Sequence, residues 1–290
     1  MGGTYILKAI VCAALATALA ACQPGQHPSA APDGEWISLF NGSDLEGWTP
    51  KFMGSPIGEN VLDTFRVEDG LLTISYDNYD TFGERYGHLI YNVRPFSHYW
   101  IRAEYRFIGE QVADAPSWGW RNNGLMLHSQ PPETMTVDQQ FPISVETRLL
   151  GGGVIRPLTE HDWSPDWDWW QRTQFKLFQG FLFAPRPNAN VCTPGTSVIF
   201  NGERSAEHCL DSSSDTYGGD QWVTVEVEVV GSEVVRQYIN GELVMEYTDL
   251  QLDEPQPWSP TLALESGYIA IQAETHPTQF RRIEVLNLGD

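Results

Sequence analysis

Three short segments of this chain set acids, bases and amides at alternate positions, the spacing a β-strand needs to bring them onto one face. In residues 267–276 (GYIAIQAETH), Ile269, Ile271 and Ala273 share one face while Gln272, Glu274 and His276 share the other. In residues 141–150 (FPISVETRLL), Ile143, Val145 and Leu149 oppose Ser144, Glu146 and Arg148. In residues 122–128 (NNGLMLH), Asn122, Gly124, Met126 and His128 lie together. A single polar row can simply be the watered face of a strand. Three rows converging on one concave face would instead supply proton donors, proton acceptors and orienting amides. His128, Glu146, Glu274 and His276 are also residue types that bind a divalent ion, at a spacing that is not diagnostic. No G-x-S-x-G elbow, H-E-x-x-H pair, EF-hand loop or phosphate-binding glycine loop occurs, so the common motif-borne chemistries find no support.

The elements that must carry these rows are strands. From residue 222 the sequence WVTVEVEV puts Val223, Val225, Val227 and Val229 on one face and Thr224, Glu226 and Glu228 on the other. Gly231-Ser232 marks a turn, and Asn240-Gly241 is the strongest short hairpin signal. Leu243, Met245 and Tyr247 continue the alternation, so the segment reads as a three-stranded meander. Residues 99–107 (YWIRAEYRF) alternate as well, and Asp69-Gly70 sits between two apolar runs as another hairpin turn. Long amphipathic helices are absent. This pattern predicts an all-β fold, a jelly-roll sandwich of two antiparallel sheets.

One segment breaks the rhythm. Residues 155–187 hold Trp163, Trp167, Trp169, Trp170, Phe175, Phe178, Phe181 and Phe183, and follow a triple glycine at 151–153. Two readings stand: an aromatic lid beside a sugar site, or a satellite cluster packed on a sheet.

The 290 residues carry a net charge of −21 and no basic stripe, which argues against nucleic acid as a partner. Lys8 precedes an apolar run over 9–20 that is too short to span a bilayer. The run ends in Leu19-Ala20-Ala21-Cys22, which resembles the bacterial lipobox. Residues 1–22 therefore read as a lipoprotein signal with Cys22 as the lipidated mature N-terminus. Residues 23–34 read as a flexible, proline-rich tether, and 35–290 as the folded domain. The expected location is the bacterial cell envelope, anchored to the outer membrane more than the inner and facing the periplasm or the cell surface. Of the four cysteines, Cys12 leaves with the leader, and Cys192 and Cys209 remain to form one disulfide, or else two buried thiols.

Further blocks give the chain a resemblance. Leu39-Phe40-Asn41-Gly42 with Leu45, Gly47 and Trp48 is similar to the opening signature of a large bacterial family. The blocks RNNGLMLHSQPPETM from Arg121, VCTPGT from Val191, SSSDTYGGDQWVTVEVEV from Ser212 and GYIAIQAETHPTQFRRIEVLNL from Gly267 resemble it in order and spacing. This is the 3-keto-disaccharide hydrolase, or 3-keto-glucoside-1,2-lyase/3-keto-2-hydroxy-glucal hydratase, family, and the likeness covers roughly residues 36–288. It implies a concanavalin-like jelly roll that acts on 3-keto-glycosides. Where the family pattern has Glu-x-Gln, this chain has Glu146-Thr147-Arg148, and the aromatic segment has no counterpart in it.

The chemistry so implied is removal of the acidified C2 hydrogen followed by loss of the C1 substituent, with water free to add back. On that reading His128 and Glu146 are the base and acid. Arg121, Arg148, Gln272 and Glu274 bind substrate, and Glu274 with His276 holds a divalent ion that would steady the enolate. The competing classes are a non-catalytic carbohydrate-binding module on the same fold and an ordinary two-carboxylate glycosidase.

Overall fold

The computed structural model describes residues 29–157, 176–178, 181–184, 187–205, 207–218 and 221–289. In chain order its strands are β1 (Ile37–Ser38), β2 (Trp48–Phe52), β3 (Phe65–Glu68), β4 (Leu71–Ile74), β5 (Gly87–Phe96), β6 (His98–Phe107), β7 (Asn122–Ser129) and β8 (Val145–Leu150). Then follow β9 (Gly153–Pro157), β10 (Lys176–Phe178), β11 (Phe181–Ala184), β12 (Ala189–Cys192), β13 (Thr196–Phe200), β14 (Glu203–Arg204) and β15 (Cys209–Asp211). The last are β16 (Val223–Val230), β17 (Val234–Ile239), β18 (Glu242–Leu252), β19 (Gly267–Ala273) and β20 (Thr278–Gly289). Among the described residues the only helical elements are three single 3₁₀ turns, and no helix is long and apolar enough to cross a membrane.

Two large antiparallel sheets form the predicted sandwich. The back sheet runs β14-β13-β18-β17-β16-β6-β20-β4-β3, with β1 beside β20. The front sheet runs β15-β12-β8-β7-β19-β5-β2. Alternation explains the packing. Tyr99, Ile101, Ala103 and Tyr105 of β6, and Val223, Val225, Val227 and Val229 of β16, are all buried in one core. Leu125, Val145, Leu149, Ile269 and Ile271 of the front sheet meet them from the other side. The opposite faces of the same strands are polar: Arg102, Glu226 and Glu284 behind, Glu146 and Arg148 in front.

The turn chemistry reads as expected. Asn240 and Gly241 take φ of 51° and 84°, and Asp69 and Gly70 take 51° and 78°, as two-residue hairpins with both residues at positive φ require. The meander over β16, β17 and β18 is present. The described parts of 155–187 fall outside both large sheets, since β9, β10 and β11 make a small sheet of their own. Residues 158–175, 179–180 and 185–186 of the aromatic segment lie outside the described residues, as do the signal over 1–22 and its Cys22.

The tether differs from its expected flexible form at its far end. Ser29 Oγ donates to Glu226 Oε1 (2.6 Å) and the Ala30 amide to Glu226 Oε2 (2.7 Å), while Arg102 Nη2 donates to Ser29 Oγ (2.6 Å).

Cys192 and Cys209 face each other across β12 and β15 and are joined by a disulfide. With the two cysteines 17 positions apart in sequence, the bond removes enough unfolded-state freedom to stabilise by about 3 kcal/mol in the chain-entropy model. The double variant Cys192→Ser/Cys209→Ser should therefore unfold at lower urea, with an extrapolated loss of about that size. Equal urea midpoints for the two proteins would show that the bond contributes nothing to stability.

Candidate functional site

The outer face of the front sheet carries a cavity of about 590 Å³, within the range of roughly 300–1,000 Å³ usual for small-molecule sites. Glu146 and Arg148 of β8, Cys192 at the end of β12 and Glu274 just past β19 form its polar wall. Trp118, Phe141, Gln140, Pro194, Glu207 and His208 close the sides. The convergence expected of the strand rows is real for two of the three.

Glu146 is the centre of it. Its side chain lies across Gly124 of the neighbouring strand, where an added Cβ would stand 2.3 Å from Oε1. It is 5% exposed, and Oε1 has no hydrogen-bond partner among the described residues. Burial disfavours its charged form, and the nearby charge of Glu274 adds to the effect, with Arg148 opposing it. Together they push the Glu146 carboxyl from its ordinary 4.5 up to about 8. Arg148 is held back from full neutralisation: its Nε donates to Asn122 Oδ1 (2.9 Å), and its Nη1 stands 3.6 Å from Cys209 Sγ.

Glu274 also acts on two tyrosines. Tyr76 and Tyr86 are both shifted upward, mainly by burial, with Glu274 contributing to each. Tyr86 stacks on Trp118 (centroids 6.2 Å, interplanar 3°) and tilts against Phe141 (5.4 Å). These rings give the cavity an apolar side opposite its acids. Beneath Phe141 lies a buried polar layer. His88 meets Phe141 edge-on at 5.8 Å and pairs with Gln272 across β5 and β19. Neither the Gln272 carboxamide nor His88 Nε2 has a hydrogen-bond partner among the described residues. Burial, helped by Lys51, drives His88 down to about 3, so it is neutral.

Other expected site residues stand elsewhere. His128 does not line the cavity. At φ 49° it sits in a bulge, where the pairing of β7 with β19 shifts between Tyr268 and Ala270. The shift turns its ring into the core, 5.8 Å from Tyr99, with Nδ1 and Nε2 facing the carbonyl oxygens of Leu264 (2.9 Å) and Ser97 (3.3 Å). Gly267 permits this, because an added Cβ there would meet the His128 backbone at 2.4 Å. Burial holds His128 down at about 4, so it is a neutral core imidazole.

Arg121, at φ 45°, donates from Nη1 to the Gly152 carbonyl (2.6 Å) and lies over Trp120, away from the cavity wall. Gln272 shares the outer face but stays below the wall. His276 lies beyond the end of β19 and packs edge-on against Phe107 and Trp120. Of the two residues expected to hold a divalent ion, Glu274 lines the cavity and His276 does not. Among the described residues no group of three His, Cys, Asp or Glu side chains comes together as a metal site.

Reasoning from alternation missed Trp118, Gln140, Phe141, Pro194, Glu207 and His208. Phe141 lies outside any strand, since β8 begins only at Val145, and it reaches the cavity from the preceding loop.

The profile of the 3-keto-alpha-glucoside-1,2-lyase-like domain family matches residues 35–286. The chain belongs to that family. Its function is therefore carbohydrate-related. A search of curated proteins returned no match. Among solved structures, a galectin-like protein of unknown function from Bacillus subtilis aligns over 87% of this chain and 94% of its own, at 12% identity and a TM-score of 0.47. The carbohydrate-binding module CBM66 from Bacillus subtilis aligns over 83% and 96%, at 9% identity and a TM-score of 0.42.

Two outcomes follow from this geometry. Folded Glu146 keeps its proton to about pH 8, whereas the unfolded glutamate loses it near 4.3. The native state thus binds more protons between those values, and stability falls as pH rises through the window. Glu146→Gln should flatten that slope in urea titrations run at successive pH values, and an unchanged slope would refute the shift. Gly124→Ala should displace the Glu146 carboxyl while the sandwich still folds, so that carbohydrate binding or turnover falls with little change in circular dichroism.

Proposed function

We propose that this protein cleaves 3-keto-glycosides by elimination, with Glu146 as the acid and Glu274 as the base. The observation that carries the reading is the placement of the two carboxyl groups: both line one sugar-sized cavity, and burial, reinforced by the charge of Glu274, keeps the proton on Glu146. Family membership supplies the substrate class.

A ketone at C3 acidifies the C2 hydrogen, because the anion left behind is an enolate. Glu274 accepts that proton. The electron pair of the C2–H bond becomes the C1–C2 double bond as the bond from C1 to the leaving oxygen breaks. Glu146 gives its proton to that oxygen, so an alcohol departs and an unsaturated 2-hydroxy-glucal remains. Water can then add at C1, giving a proton to the Glu146 carboxylate as the proton on Glu274 returns to C2, which restores both groups. The Arg148 guanidinium, fixed through Asn122, offers N–H donors to the developing charge on the C3 oxygen. Trp118 and Phe141 give the sugar ring an apolar face to lie against. No oxocarbenium path is needed. The protein works at the bacterial cell envelope, and the lipobox ending at Cys22 supports that location.

The rings and the unpartnered polar atoms would also serve binding without chemistry, and one assay separates the two. The domain is incubated with a 3-keto-disaccharide and released sugar is measured. Turnover is expected, with a loss in kcat of about 100-fold or more in Glu146→Gln. Binding without turnover would leave a carbohydrate-binding module. Full activity in Glu146→Gln would overturn the assignment of the acid.

A further inference from the structure

The end of the tether is fastened to the face of the sandwich opposite the cavity. Glu226 stands in mid-β16 on the outer face of the back sheet, directly across from Arg102 of β6. Its two carboxylate oxygens accept from Ser29 Oγ and the Ala30 amide. Arg102 completes the clamp. It donates to Glu226 Oε1 (2.7 Å), to Glu284 Oε1 (2.9 Å) and to Ser29 Oγ (2.6 Å), and lies over the Trp36 ring at 4.1 Å. Glu226 is 1% exposed, so this is a buried, charge-assisted contact and not a passing one.

From this geometry we infer that the protein sits on its membrane with the outer face of the back sheet toward the bilayer and the cavity pointing away from it. The inference rests on reading Cys22 as the acylated N-terminus and is independent of the chemistry assigned to the cavity. Seven residue steps separate Cys22 from Ser29, a span of at most about 25 Å. Glu226 is three residues from the nearer end of its strand, Val223, about 10 Å at ~3.3 Å per residue. Passing the nearer edge of the sheet would cost about 19 Å, since four strands lie between β16 and that edge at ~4.8 Å each. By way of the strand end ~15 Å at most is left, against the ~10 Å between stacked sheets and the side chains beyond them. The outer face of the back sheet is the one the tether reaches with most length to spare, since the chain is fastened on it at Ser29 and Ala30.

The charges on the back face agree with this. Arg102, Arg106, Arg236, Arg281 and Arg282 are interleaved there with Glu104, Glu226, Glu228, Glu246 and Glu284, and each of these glutamates is ion-paired. Five cations against five anions make this set neutral in a chain of net charge −21. It is repelled less by an anionic leaflet than the rest of the surface.

The test uses the full-length lipidated protein in vesicles of phosphatidylethanolamine and phosphatidylglycerol that carry an energy-acceptor lipid. A fluorophore is placed in turn at Leu243→Cys, exposed on the back face, and at Val137→Cys, exposed on the loop that carries Gln140 and Phe141 into the cavity. Transfer to the acceptor lipid should be severalfold stronger from position 243 than from 137. Ala30→Pro, which removes one amide of the clamp and touches nothing in the domain core, should narrow the difference. Equal or reversed transfer in the parent protein would overturn the orientation. Failure to bind vesicles, or binding that persists in Cys22→Ser, would overturn the anchor on which it rests.

Discussion

A carboxyl group buried beside another carboxyl is the constraint around which the front of this molecule is built. An ionised Glu146 would lose its hydration in the cavity wall and face the charge of Glu274 at the same time. The proton it keeps removes both penalties. Gly124 is the position on the adjacent strand with no side chain to compete for that space. Arg148 is close enough to matter, yet Asn122 holds one side of its guanidinium and the disulfide lies along another. A freer arginine would pair with Glu146 and return it to an ordinary, ionised state. Glu146 keeps its proton because the cation beside it is restrained.

Much of this was legible in the sequence, and what failed did so for local physical reasons. Period-two alternation gave the core face of β6, β16, β8 and β19, and the Asn-Gly and Asp-Gly pairs gave the β17–β18 and β3–β4 hairpins. Glu146, Arg148 and Glu274 follow from the same alternation, because β8 is regular and Glu274 is only one step past β19. His128 follows the same rule and breaks it. One bulge at positive φ reverses which face a side chain takes, and nothing in NNGLMLH announces it. His276 fails because the chain turns at Thr275, whose hydroxyl donates to the Gly119 carbonyl (2.6 Å). Trp118, Phe141 and His208 come from loops, where alternation has no meaning and only tertiary packing decides direction.

The two outer faces divide the work. The back face is a ladder of ion pairs centred on Arg102, and it receives the chain as it arrives from the N-terminus. The front face carries acids with restrained compensation and an aromatic side suited to a sugar ring. A sandwich separates them by a single shared core, so each face can be specialised without disturbing the other. Both specialisations are held in place by the same valine and tyrosine ladder between the sheets.

The central claim is that burial, reinforced by the charge of Glu274, keeps the proton on Glu146. The direct measurement is a carbon-13 NMR titration of the glutamate carboxyl groups, with the Glu146 resonance assigned by its disappearance in Glu146→Gln. The account predicts a midpoint near 8 in the parent protein and a clearly lower one in Glu274→Gln. A parent midpoint in the ordinary glutamate range, or one that Glu274→Gln leaves unmoved, would contradict it.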